Sequence, residues 1–106
     1  MTSHKRSTAT ILVCLTLLSA LAAIPAAADG FRLIGAGGCR TADGGAGKID
    51  RHRNVSLEQC KVMCLGVDRC KAIEFNTKRG NCEVHYDNIV RSTGPGGDAV
   101  CFRRTY

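Results

Sequence analysis

The chain has 106 residues, 44% of them hydrophobic and 23% charged, with a formal net charge of +6. That length has room for one small domain, the apolar share is too high for a disordered polypeptide, and the charge excess is too dilute for a polybasic tail. Seven cysteines in so short a chain put cross-links or metal ligation at the centre of any reading.

The N-terminus begins with Lys5 and Arg6, continues as an apolar stretch from Ala9 to Ile24, and leaves through Pro25 and Ala26-Ala27-Ala28. A basic head, an apolar middle and a small-residue exit form a secretory signal peptide, so residues 1–28 are expected to be removed between Ala28 and Asp29. The apolar run is shorter than the roughly 20 residues a membrane span needs, so no membrane insertion is expected after cleavage. Cys14 departs with the leader, and residues 29–106 are expected to form a single secreted, extracellular domain with six cysteines. Loss of Lys5 and Arg6 leaves 13 basic residues against 9 acidic ones, a mild positive field that favours anionic partners. An even cysteine count in a short exported chain predicts disulfides, because the route is oxidising and so small a core is marginal alone.

Phe31-Arg32-Leu33-Ile34 reads as a short strand, and the glycines from Gly35 to Gly47 as the irregular loop after it. Gly47-Lys48 fails the phosphate-loop pattern, since Ala42 and Ile49 stand where that pattern needs Gly and Ser or Thr. Next come the cations Lys48, Arg51 and Arg53, and Asn54-Val55-Ser56, an acceptor sequence for N-glycosylation at Asn54. The one clear helix starts at Ser56, an N-cap with Gln59 at the capping-box spacing. Leu57, Cys60, Met63 and Cys64 fall on one stripe, which predicts the buried face of a helix of near nine residues, with Gly66 as a left-handed stop. Ile73 and Phe75, then Cys82, Val84 and Tyr86, alternate as two strands joined by a turn over 76–81. Glu83 and His85 are thereby expected on the opposite, half-exposed face. After a loop from Arg91 to Gly97, Ala99-Val100-Cys101-Phe102 is a last strand able to return beside the first.

A helix carrying Cys60-x-x-x-Cys64, followed by Cys70-Lys-Ala-Ile-Glu-Phe and Cys82-Glu-Val-His-Tyr as a hairpin, closely resembles the PAN/Apple domain family. The likeness is strongest from Asn54 to Tyr86, and with Cys39 and Cys101 it covers nearly the whole mature chain. It implies an α+β fold: a single helix on a curved, roughly five-stranded antiparallel sheet, stapled by disulfides. Six cysteines allow 15 connectivities. The resemblance implies Cys60 with Cys82, Cys64 with Cys70, and Cys39 with Cys101. It also implies a non-catalytic module that binds carbohydrate or protein outside the cell.

The residues offer little chemistry of other kinds. Ser56 is used as a cap, His52 lies between Arg51 and Arg53 as a solvated loop residue, and no base with an orienting partner can be named, so no catalytic residues and no cofactor are expected. Zinc on Cys60 and Cys64 with His52 or His85 lacks the Cys-x-x-Cys spacing of structural sites, and no metal is expected. Nucleic acid is disfavoured by compartment and by the few aromatic residues. Three basic clusters, Arg51 with Arg53, Lys78 with Arg79, and Arg103 with Arg104, are candidate ligand-binding residues, since arginine forks match planar anionic groups of an acidic polysaccharide. The alternative is a cysteine-rich secreted effector, a protease inhibitor or antimicrobial peptide, suggested by size and positive charge.

Overall fold

The computed structural model describes residues 29–106, so the expected leader lies outside the described residues. In chain order the elements are β1 (Phe31–Ala36), β2 (Cys39–Arg40), β3 (Ile49–His52), α1 (Leu57–Leu65), β4 (Ala72–Asn76), β5 (Asn81–His85), β6 (Arg91–Ser92) and β7 (Ala99–Arg104). Five of the strands form one antiparallel sheet in the order β1-β7-β4-β5-β3, and β2 pairs with β6 in a separate two-stranded ribbon. This is the predicted architecture, one helix on a five-stranded antiparallel sheet with three disulfides.

The helix forms where its caps and apolar stripe predict. Ser56 Oγ accepts from the Gln59 amide at 3.1 Å and Gln59 Oε1 accepts from the Ser56 amide at 2.8 Å, a complete capping box. Nine residues are too few for a stable helix in water without tertiary support, and Cys60 and Cys64 supply it by facing the sheet fully buried. The stop differs from expectation: Gly66 has φ −77°, in the right-handed region. Its amide still bonds Val62 O, and Val67 and Cys70 continue in tight turns, so the chain folds back over its last turn and needs no left-handed residue.

Two apolar clusters hold the sheet. On the helix side Ile73 and Phe75 of β4 stand opposite Val84 and Cys82 of β5, and Phe31, Cys60, Cys64 and Cys70 complete the packing. On the other side Cys39, Ala72, Ile89 and Cys101 form a smaller cluster beneath the ribbon. Disulfides join Cys60 to Cys82, Cys64 to Cys70 and Cys39 to Cys101. The first two bolt the helix to β5 and to the lead-in of β4, and the third binds the ribbon to β7.

Three further sequence expectations are corrected. The first strand runs on through Gly35 to Ala36, with an irregularity between Leu33 and Gly35, because its pairing with β7 continues. Gly35 fits there because a Cβ would meet Ser92 Oγ at 2.5 Å. The segment around His52 is an edge strand, β3, held by β5, and not a solvated loop. His85, expected half-exposed, is fully buried: residues of the glycine-rich loop fold over its face, and its Nδ1 lies 3.0 Å from Ala46 O.

Candidate functional site

Strand alternation gives the sheet two unlike faces. The face away from the helix carries Glu74 and Asn76 on β4, Asn81, Glu83 and His85 on β5, and Arg51 on β3, paired across the strands as Glu74 with Glu83, Asn76 with Asn81 and Arg51 with Glu83. Half of that face is roofed by the ribbon and its cluster. The other half is open.

In the open half, Arg51, Arg53, Glu74, Asn76, Arg79, Asn81 and Glu83 line a concavity of about 300 Å³. Its arginines come from two separate stretches of chain. Arg51 is placed by β3, where its Nη2 and Nε donate to Glu83 Oε2 at 2.8 and 3.1 Å. Arg79 is placed by the β4–β5 turn, which Asn76 shapes by accepting from the Lys78 and Arg79 amides through Oδ1. The two stretches are stitched by the Val55 amide donating to Gly80 O at 3.0 Å, with Gly80 at φ +68°. Asn54, at φ +58°, makes the bend that lifts the chain from β3 to α1 beside Arg53; asparagine tolerates that conformation better than most residues. Asn54 is exposed there.

The candidate cations therefore divide. Arg51, Arg53 and Arg79 converge on one concavity, and Lys78 is exposed on the same turn without lining it. Arg103 and Arg104 do not join them in that concavity. Arg103 donates through Nε and Nη2 to Ile89 O on the ribbon side. Arg104 reaches the helix side, where Nη1 donates to Val67 O at 2.9 Å and Cys64 O at 3.2 Å, and its guanidinium lies over Tyr106. Both guanidiniums therefore contact backbone carbonyls at turns and at the end of α1.

The floor of the concavity was missed by reasoning from charge clusters, because Glu74, Asn76, Asn81 and Glu83 are scattered singly in the chain. Their signal was alternation: Glu74 and Asn76 on β4, and Asn81 and Glu83 on β5, alternate with the buried apolar Ile73, Phe75, Cys82 and Val84. Beside Glu83 on the same face, under the glycine-rich loop, lies His85. Its Nδ1 is bound to a carbonyl and so carries the proton, and its Nε2 stands 3.8 Å from Glu74 Oε1 and 3.6 Å from Glu83 Oε1. Glu74 Oε1 also accepts from the Cys39 amide at 2.8 Å.

Outside this site, two carboxylates are held in their charged form. The Lys61 ammonium at 2.8 Å, with the Phe31 amide, keeps the Asp29 carboxyl below its ordinary range. The Thr41 hydroxyl, with the Gly45 amide, does the same for Asp43. Tyr86 moves the other way: its hydroxyl donates to Asp50, which holds the phenol above its usual value of 10.0.

Compared with curated proteins and with solved structures, the chain has no match. Compared with protein families, it matches the PAN domain over residues 40–104. PAN domains generally mediate protein or carbohydrate interactions and are typically non-catalytic. The match spans the helix, the hairpin, the last strand and five of the six cysteines of the described residues, all but Cys39, and the chain belongs to the PAN domain family.

Proposed function

We propose that residues 1–28 are removed during export and that the domain acts outside the cell as a recognition module whose contact surface is the concavity between β3 and the β4–β5 turn. Its ligand is a hydroxyl-rich saccharide carrying acidic groups. The observation that carries this reading is the convergence of Arg51, Arg53 and Arg79 on one polar hollow with two amides and two carboxylates. Guanidiniums pair with a carboxylate or sulfate through two parallel hydrogen bonds, while amide and carboxylate side chains take up sugar hydroxyls. The disulfide frame suits an extracellular setting.

Column retention on heparin and on uronic-acid polymers, measured against salt, tests the proposal. The wild-type chain should elute above low salt, and R53A/R79A should elute earlier on every acidic matrix, because exposed charge pairs are screened by added ions. Equal elution of the two proteins, or no retention of the wild type on any acidic glycan, would turn the reading to protein recognition. Asn54 is proposed as an N-glycosylation acceptor where the export route provides the modification. A glycan there would border Arg53, so peptide mass mapping of the secreted protein is a useful companion measurement.

A further inference from the structure

Glu74 and Glu83 stand directly opposite each other on hydrogen-bonded strands, a placement that is destabilising for like charges. Both side chains are largely covered, 18% and 17% exposed, which removes much of the water that would screen them. Arginine relieves this only in part. Arg51 takes the outer oxygen of Glu83, Oε2, and leaves Oε1 turned toward His85. The Arg40 guanidinium is 4.0 Å from Glu74 Oε1, beyond hydrogen-bonding distance, and donates instead to Cys39 O at 2.7 Å.

The third member of the group is a fully buried histidine with one unused atom. His85 Nδ1 donates to Ala46 O, which fixes the ring and leaves a lone pair on Nε2 in the neutral tautomer. Nε2 finds no hydrogen-bond partner among the described residues, although it points between two carboxylates. A buried acceptor aimed at two further acceptors is costly as it stands. A cation between them satisfies all three.

We infer that His85 Nε2, Glu74 Oε1 and Glu83 Oε1 form a binding site for one divalent transition-metal ion of the zinc type. An imidazole ligand excludes magnesium and calcium as the preferred ions, since these take oxygen ligands alone. The separations of 3.6 and 3.8 Å between Nε2 and the two oxygens are slightly wider than the edge of about 3.4 Å in a zinc tetrahedron with bonds near 2.1 Å. Glu74 falls with His85 in a group whose ligand atoms lie within 4.8 Å of one another, whereas Glu83 stands outside that group, so binding requires the Glu83 carboxylate to turn toward Glu74. The carbonyl-bound Nδ1 is the outer contact that orients metal-bound histidines generally. Both glutamates line the open concavity, which gives the ion an entry path and leaves room for a further ligand from solvent. Cysteine has no part in the site: Cys39, although near Glu74 and His85, is committed to its disulfide with Cys101.

The test is calorimetric titration of the disulfide-intact wild-type chain with zinc in chelator-treated buffer, alongside E74Q/E83Q. One ion per chain is expected, and the double variant should bind at least about tenfold more weakly, since even outer contacts of a metal site are worth 10–100-fold in affinity. In parallel, nitrogen NMR of the wild-type histidines should show zinc moving the His85 Nε2 resonance while Nδ1 stays protonated; this readout does not depend on a variant folding. Equal affinity in wild type and E74Q/E83Q would place the ion elsewhere, at His52 for example, and overturn the proposal. So would an unchanged His85 resonance with protons on both nitrogens, which would mean that a buried imidazolium already balances the two carboxylates.

Discussion

Single side chains carry unequal shares of this fold. Ile73 is fully buried at the centre of the helix-side cluster, between Val84 on β5 and Phe102 on β7. Ile73→Ala removes three carbon atoms from a site that cannot collapse around rigid disulfides, and a loss of about 2–5 kcal/mol is expected, measurable as a lower denaturant midpoint. Tyr86 tests the electrostatics. Hydrogen bonding to Asp50 raises its pKa above 10.0, so the protonated phenol is the form that folding favours. The contribution is present in full below pH 10 and is lost as pH rises through the higher folded value. Thermal melts from pH 8 to 11 should show wild type losing more stability than Y86F across the upper half of that range; parallel curves would remove the role assigned to the pair. Asp29 follows the opposite sign: its depressed pKa gives stability that is present above its ordinary value of 3.8 and lost as pH falls below it.

Among the elements, α1 has the most local specification and the least independent stability. Its capping box satisfies two orphan amides at a helix start, and Ser56→Ala should cost about 1 kcal/mol by chemical denaturation. That substitution also abolishes the Asn54 acceptor sequence, so unglycosylated protein is the material for the measurement. The helix and the β4–β5 hairpin were legible in the sequence because each is built from near neighbours: caps at fixed offsets, alternating apolar residues and a turn with its own hydrogen bonds. The edge strand β3 and the ribbon strands β2 and β6 were not. They are two to four residues long, rich in charge or flanked by glycine, and extended only because a distant partner offers a ladder. His85 was misjudged for the same reason. Alternation assigned it to the right face, but whether that face meets water depends on where a glycine-rich loop lies.

At the scale of the whole molecule, the Cys39–Cys101 bridge encloses the longest loop, with a sequence separation of 62. Chain-entropy arguments give it about 4 kcal/mol, and the double replacement C39A/C101A should lower the midpoint more than loss of Cys64–Cys70, whose separation of 6 corresponds to about 2 kcal/mol. The reverse order in denaturation curves would mean that local strain, and not loop closure, governs these links. The same bridge holds the ribbon over one half of the polar face and leaves the other half open as the concavity. Of the candidate site, the sequence supplied Arg51, Arg53 and Arg79 as cations, but it could not say that these three meet while Arg103 and Arg104 turn inward.

By itself the sequence determined the composition of the domain: a leader-like N-terminus, six cysteines, one capped helix and one hairpin, all written in short-range patterns. Tertiary structure alone decided which polar groups lie together. The stitch from Val55 to Gly80 brings β3 and the hairpin turn to one hollow, and the glycine-rich loop buries His85 beside two glutamates. Such meetings depend on contacts between residues far apart in the chain, and periodicity, which reports only which face of an element a residue occupies, carries no record of what covers that face.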